Sequence, residues 1–167
     1  MIISLATKLD YADYTGNSGV YAYVIPDPAV KSVIYEASKR LGVDVDVEKL
    51  HITIMYSKEL SIPMDLYQSF KNDMPGVDAW LIGLETFIGH KGTRALAANV
   101  CSPGLAVYHG RLARAGCSHS FPMLKQHITL TMESEGVDDG LIENISRDLA
   151  VSPIKFKTSS VIIGDVR

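Results

Sequence analysis

Residues 50–57 read LHITIMYS, and residues 126–132 read QHITLTM. In an extended chain successive side chains alternate between faces, so His51 and Thr53 share one face while Ile52 and Ile54 share the other. The same parity puts His127 beside Thr129, with Ile128 and Leu130 behind them. Threonine favours strands, so one such run is an ordinary half-buried strand. Two runs with the same tripeptide in the same apolar setting suggest two half-sites, each offering an imidazole and a hydroxyl from a strand anchored by its other face.

The surrounding pattern places both runs in one fold. GVYAYVIP alternates as a strand, with Val20, Ala22 and Val24 on one face and Tyr21 and Tyr23 on the other. DPAVKSVIYEASKRLG has the marks of a helix: Asp27 to cap it, Pro28 in its first turn and Gly42 to stop it. SIPMDLYQSFKNDMPG is a weaker helical stretch. VDAWLIGLETFIG and TRALAANV form a hairpin about HKGT, and PGLAVYHGRLARAG is a helix leading to the second HIT strand. GVDDGLIENISRDLA is a helix capped by Asp138 or Asp139, and IKFKTSSVIIGDV ends the chain as a strand or strand pair. Each HIT strand follows a helical segment, and no linker or low-complexity tract interrupts residues 1–167. The expectation is one α+β domain made of two similar lobes.

Composition narrows the function. The 167 residues are 47% hydrophobic and 21% charged, the balance of a globular protein able to bury a core. A formal net charge of −3 argues against a long nucleic acid as partner, since a phosphate chain requires clustered Lys and Arg. No run approaches a membrane span, and the opening MIISLATKLD is not a secretory signal. With only Cys101 and Cys117, the expectation is free thiols and a cytoplasmic location. The sequence contains no HExxH, CxxC, Walker A loop or GxGxxG, so no metal or nucleotide cofactor is expected.

Two histidines and two threonines on one groove suit phosphodiester chemistry. A neutral imidazole takes a proton from an attacking hydroxyl, and a protonated one gives a proton to the leaving oxygen. Threonine hydroxyls hydrogen-bond the phosphate oxygens as charge grows there.

With this pairing the chain resembles the 2H phosphoesterase superfamily, whose hallmark is a pair of His-x-Thr motifs. HITIMYS, the short chain and GVYAYV before the first helix are most similar to phage anti-CBASS proteins of the Acb type. The resemblance implies a bilobal α+β fold with pseudo-symmetric lobes and antiparallel sheets around a central groove. It implies that His51 and His127 are the acid–base pair, that Thr53 and Thr129 bind phosphate, and that Tyr21 binds substrate as an aromatic platform. It further implies metal-independent cleavage of the 3′-5′ bonds of a cyclic di- or trinucleotide immune signal, such as cyclic GMP–AMP, in the host cytoplasm. Two other readings keep parts of the site: an RNA-end enzyme acting on 2′,3′-cyclic phosphates or 2′-5′ linkages, and a non-catalytic sponge for cyclic nucleotides.

Other residues carry weaker expectations. Parity assigns Tyr56 to the core face and Ser57 to the His51 face. Trp80, in an apolar alternating run, is expected in the core. Lys125 and the turn residues His90, Lys91 and Arg94 are expected to be solvated. His109, in a helix, and His119, in the loop CSHSFP, lack ligand-like spacing to another His, Cys or carboxylate.

Overall fold

A computed structural model describes residues 14–16, 19–58, 62–89, 91–120 and 124–166. Most of the turn-rich opening segment and His90 lie outside the described residues. Among the described residues seven strands and four helices follow in the order β1 (Val20–Val24), α1 (Pro28–Leu41), β2 (Ile52–Ser57), α2 (Met64–Asp73), β3 (Asp78–Ile88), β4 (Arg94–Cys101), α3 (Pro103–Arg114), β5 (His127–Thr131), α4 (Asp139–Val151), β6 (Ile154–Lys157) and β7 (Ile162–Asp165). A 3₁₀ turn, Val47–Lys49, precedes β2.

The helices start and stop where local chemistry dictates. Asp27 accepts the Val30 amide at 2.9 Å, satisfying one of the free donors of the first turn of α1. Gly42 ends that helix with φ at 70°, a left-handed conformation that glycine adopts without steric cost. Ser102 caps α3 through the Leu105 amide, and Pro103 fills its first turn. Asp138 caps α4 by accepting from the Gly140 and Leu141 amides.

The strands form two antiparallel sheets, one ordered β2-β1-β7 and the other β5-β4-β3-β6. β1-α1-β2 and β4-α3-β5 are equivalent units: a strand, a capped helix with proline in its first turn, and a HIT strand returning antiparallel to the first. The closing segment is a strand pair, but its strands part company. β6 joins β3 in the second sheet and β7 crosses back to β1 in the first. One apolar cluster runs behind both sheets and includes Val20, Ala22, Val24, Ile34, Ile52, Ile54, Leu81, Leu105, Ile128 and Ile145.

Register explains the departures from simple alternation. Tyr23 pairs with Thr53 and Ala22 with Met55, so Ile54 is an extra residue, a β-bulge. The bulge reverses parity beyond it. Met55 joins Ile54 in the core, Tyr56 turns to the tyrosine face opposite Tyr21, and Ser57 is 1% exposed with its hydroxyl accepting the Ser118 amide. The expected places of Tyr56 and Ser57 are therefore exchanged. β5 carries its bulge at the same point: Ala97 pairs with Thr129 and Leu96 with Thr131, leaving Leu130 extra. Trp80 is half-buried rather than in the core, because neighbouring Ala79 and Leu81 take the core face; Lys155 Nζ lies 5.7 Å from its ring centroid.

Candidate active site

Each HIT motif is held by the same local device. His51 Nδ1 donates to the carbonyl of Lys49 at 2.8 Å, and His127 Nδ1 donates to the carbonyl of Lys125 at 2.7 Å. A carbonyl can only accept, so Nδ1 carries a proton in both rings and Nε2 is the nitrogen left to exchange one. Lys49 closes the 3₁₀ turn, whose last carbonyls have no partner within the turn; one of them thus sets the ring of His51.

Thr53 and Thr129 follow on the same faces, as parity requires before each bulge, and all four motif side chains are half-buried. Across the strand pairs Tyr23 faces Thr53, while Ala97 faces Thr129 and Asn99 faces His127. β2 and β5 come within 8 Å of each other between Cα atoms, so the motif strands meet where the two sheets adjoin.

The two half-sites differ in their lining. On β1, Tyr21 places its hydroxyl 2.8 Å from His51 Nε2 and 3.2 Å from Thr53 Oγ1. Tyr21 is only 8% exposed, and its ring packs against Tyr23 and, edge-on, against Tyr56 and His51. It meets the motif through its hydroxyl, while most of its ring is covered. A small concavity beside His51 is bounded by Tyr21, Tyr23, Ile25, Glu48, Lys49 and Leu50. At the equivalent places of the second half-site β4 carries Ala95 and Ala97. There the aromatic neighbour is Phe87 of β3, half-buried, its ring centroid 5.8 Å from that of His127 at 70°.

Phe87 escaped the sequence reading because β3 is bulged at Ile82, which breaks alternation along that strand. Lys125 is mostly exposed, as expected, but pairs with Glu85. Arg94, expected to be solvated, ion-pairs with Asp139 and gives its amide to Glu135. Both cysteines are free; burial pushes the Cys117 thiol up to about 11, while Cys101 is exposed. Among the described residues no three His, Cys, Asp or Glu side chains are grouped to hold a metal ion, and no helix is long and apolar enough to cross a membrane.

The chain's relatives bear on this arrangement. A family profile described as "Anti-CBASS protein Acb1" matches residues 18–157, a span containing Tyr21 and both motifs.

The chain belongs to the anti-CBASS Acb1 family.

The anti-CBASS protein Acb1 of Vibrio phage KVP40 is 28% identical over 120 residues, covering 70% of this chain and 74% of that one. Among solved structures, TT0787 of Thermus thermophilus superposes with a TM-score of 0.61 at 16% identity, covering 86% of each chain. Escherichia coli LigT, solved in complex with 3′-AMP, gives 0.55 at 15% identity, covering 87% of this chain and 86% of that one. These two are 2H phosphoesterases, so this member of the Acb1 family has the bilobal 2H fold expected from its two motifs.

Proposed function

We propose that the chain is a metal-independent phosphodiesterase that opens cyclic di- or trinucleotides, with cyclic GMP–AMP or a close relative as substrate. The observation carrying this reading is the matched tethering of His51 and His127, which leaves one exchangeable nitrogen per lobe on a strand face that also carries a threonine. Membership in an anti-CBASS family supplies the substrate class.

In the proposed reaction the ribose 2′-oxygen attacks its own 3′-phosphorus. The O2′–P bond forms and the P–O5′ bond breaks. One Nε2 takes the 2′-hydroxyl proton, and the other, protonated, gives its proton to O5′. The product is a linear nucleotide ending in a 2′,3′-cyclic phosphate. Thr53 and Thr129 donate to the non-bridging oxygens, where charge builds in the transition state. The nucleophile belongs to the substrate, so positioning and proton transfer supply most of the acceleration. The reaction would take place in the cytoplasm of an infected host.

The test is incubation in EDTA with a panel of cyclic di- and trinucleotides, and separately with RNA ends bearing 2′,3′-cyclic phosphates or 2′-5′ linkages, followed by mass spectrometry. A linear product with a 2′,3′-cyclic phosphate end is expected. Intact rings across the panel would overturn the proposal. Binding without turnover would identify a sponge, and turnover confined to RNA ends would identify the RNA enzyme.

A further inference from the structure

β2 is an edge strand of its sheet, and an edge strand bears backbone groups that need partners. Its bulge sharpens that need, because the extra residue is out of the ladder. The outer edge of β2 is satisfied from the other lobe. His109 of α3 donates from Nδ1 to the carbonyl of Ile54, the bulged residue, at 2.7 Å. The Tyr56 amide donates to Nδ1 of His119 at 3.1 Å, and the Tyr56 carbonyl accepts the Ser120 amide at 2.7 Å. The Lys58 amide reaches Ser120 Oγ at 3.3 Å.

The two imidazoles stand perpendicular, centroids 5.3 Å apart, and their bonds demand opposite tautomers. His109 must carry its proton on Nδ1, whereas His119 must leave Nδ1 bare and carry its proton on Nε2. Burial, and then the neighbouring His109, hold the His119 imidazole below its ordinary value, which keeps that lone pair available.

The consequence reaches the motif. A regular ladder without the bulge would shift pairing by one residue and turn Tyr56 away from Tyr21. With it, Tyr56 packs edge-on against Tyr21 at 5.6 Å, and the Tyr21 hydroxyl meets His51 and Thr53. We propose that His109 and His119 are positioning residues: they lock the β2 bulge and thereby set Tyr56, Tyr21 and the His51 half-site. Because α3 and the loop after it lead into β5, the same two rings tie the strand carrying His51 to the one carrying His127. Among the described residues the bulge in β5 receives no imidazole, so the lock belongs to one lobe. The catalytic part of this inference rests on the acid–base reading of His51 and His127.

The experiment pairs each loss with a mimic. Asparagine places an amide nitrogen or oxygen close to the position of histidine Nδ1, so His109→Asn can still donate and His119→Asn can still accept. His109→Leu and His119→Leu can do neither. Kinetics on a cyclic dinucleotide are expected to show kcat lowered at least about tenfold in the leucine variants, since small misplacements near reacting groups have effects of that size. KM should move by less than about twofold, and the asparagine variants should recover most of kcat. Full activity in folded leucine variants, or equal losses in leucine and asparagine variants, would overturn the proposal. Nitrogen-15 NMR of the wild-type protein reads the tautomers without any substrate or mutation: Nδ1–H is expected for His109 and Nε2–H for His119. The reverse assignment would overturn the lock. Failure of the wild type to turn over any cyclic nucleotide would instead count against the function and leave the tautomer result standing.

Discussion

The hydroxyl of Tyr21 sits 2.8 Å from Nε2 of His51 and 3.2 Å from Oγ1 of Thr53, joining the two polar members of one motif through a third side chain from the next strand. The nitrogen it contacts is the one left for proton exchange once Nδ1 is tied to Lys49. Tyr21→Phe keeps the ring among Tyr23, Tyr56 and His51 and removes the hydroxyl that meets His51 and Thr53. The expected result is a loss of about tenfold in kcat, with a fall in stability of about 1 kcal/mol for the lost hydrogen bonding. Kinetics and denaturant melts measure both, and an unchanged kcat would show that the hydroxyl does not orient His51.

His51→Ala and His127→Ala should each lower kcat by about 10²–10⁴ while leaving nucleotide binding largely intact, because general acid and general base contribute on that scale. The double variant should be little worse than the worse single, as for groups that act as a unit. Single-turnover rates and calorimetric binding separate the two effects. Losses that multiply in the double variant would argue that the histidines work independently.

Among the described residues Phe87 is the aromatic group against the His127 ring, on a face where β4 carries alanines at the tyrosine positions. Phe87→Ala is expected to raise KM with kcat nearly unchanged, by the equivalent of about 1–3 kcal/mol if a base stacks there. A lower kcat at constant KM would instead make Phe87 a support for the His127 ring.

The stability of the fold should depend on pH through His119. Its folded value lies below the ordinary 6.5, from burial first and His109 second. The unfolded chain therefore binds more protons in the window beneath 6.5. Stability is full above that value, is lost as pH falls through it, and levels off below the folded value. Asp78, held low first by its hydrogen bond from Lys157, and Glu135, held low first by the Arg94 amide, titrate in a more acidic range. Melting midpoints from about pH 7.5 to 5 should fall more steeply for the wild type than for His119→Asn, in which this titration is absent. Parallel curves would remove His119 as the cause.

Much of the fold was legible because its elements are locally determined. Asp27, Pro28 and Gly42 bracket α1, and GVYAYV alternates cleanly because one face packs on the core while the other carries tyrosines. The histidine–threonine pairing was legible because both bulges come one residue after the threonine. What lay beyond each bulge was not. Parity counted from His51 misplaces Tyr56 and Ser57, and the one local sign of the slip is that Ile54 and Met55 are adjacent and both apolar. The tethers to Lys49 and Lys125 use backbone carbonyls, which leave no trace in side-chain identity. The roles of His109 and His119 were hidden for the same reason, since each imidazole meets a main-chain group across the lobe boundary.

The return of β7 to β1 has a consequence for how the protein is made. Val20 pairs with Asp165, and Asp165 also takes the amide and hydroxyl of Thr15, 150 residues away. During translation β1 and β2 emerge before the second sheet, yet their own sheet lacks its third strand until β7 has been synthesised. The second sheet needs no strand from outside residues 78–157 and can form first. Until residues 162–165 have been made, β1 would then present an unclosed strand edge, the kind of edge that invites aggregation or chaperone capture.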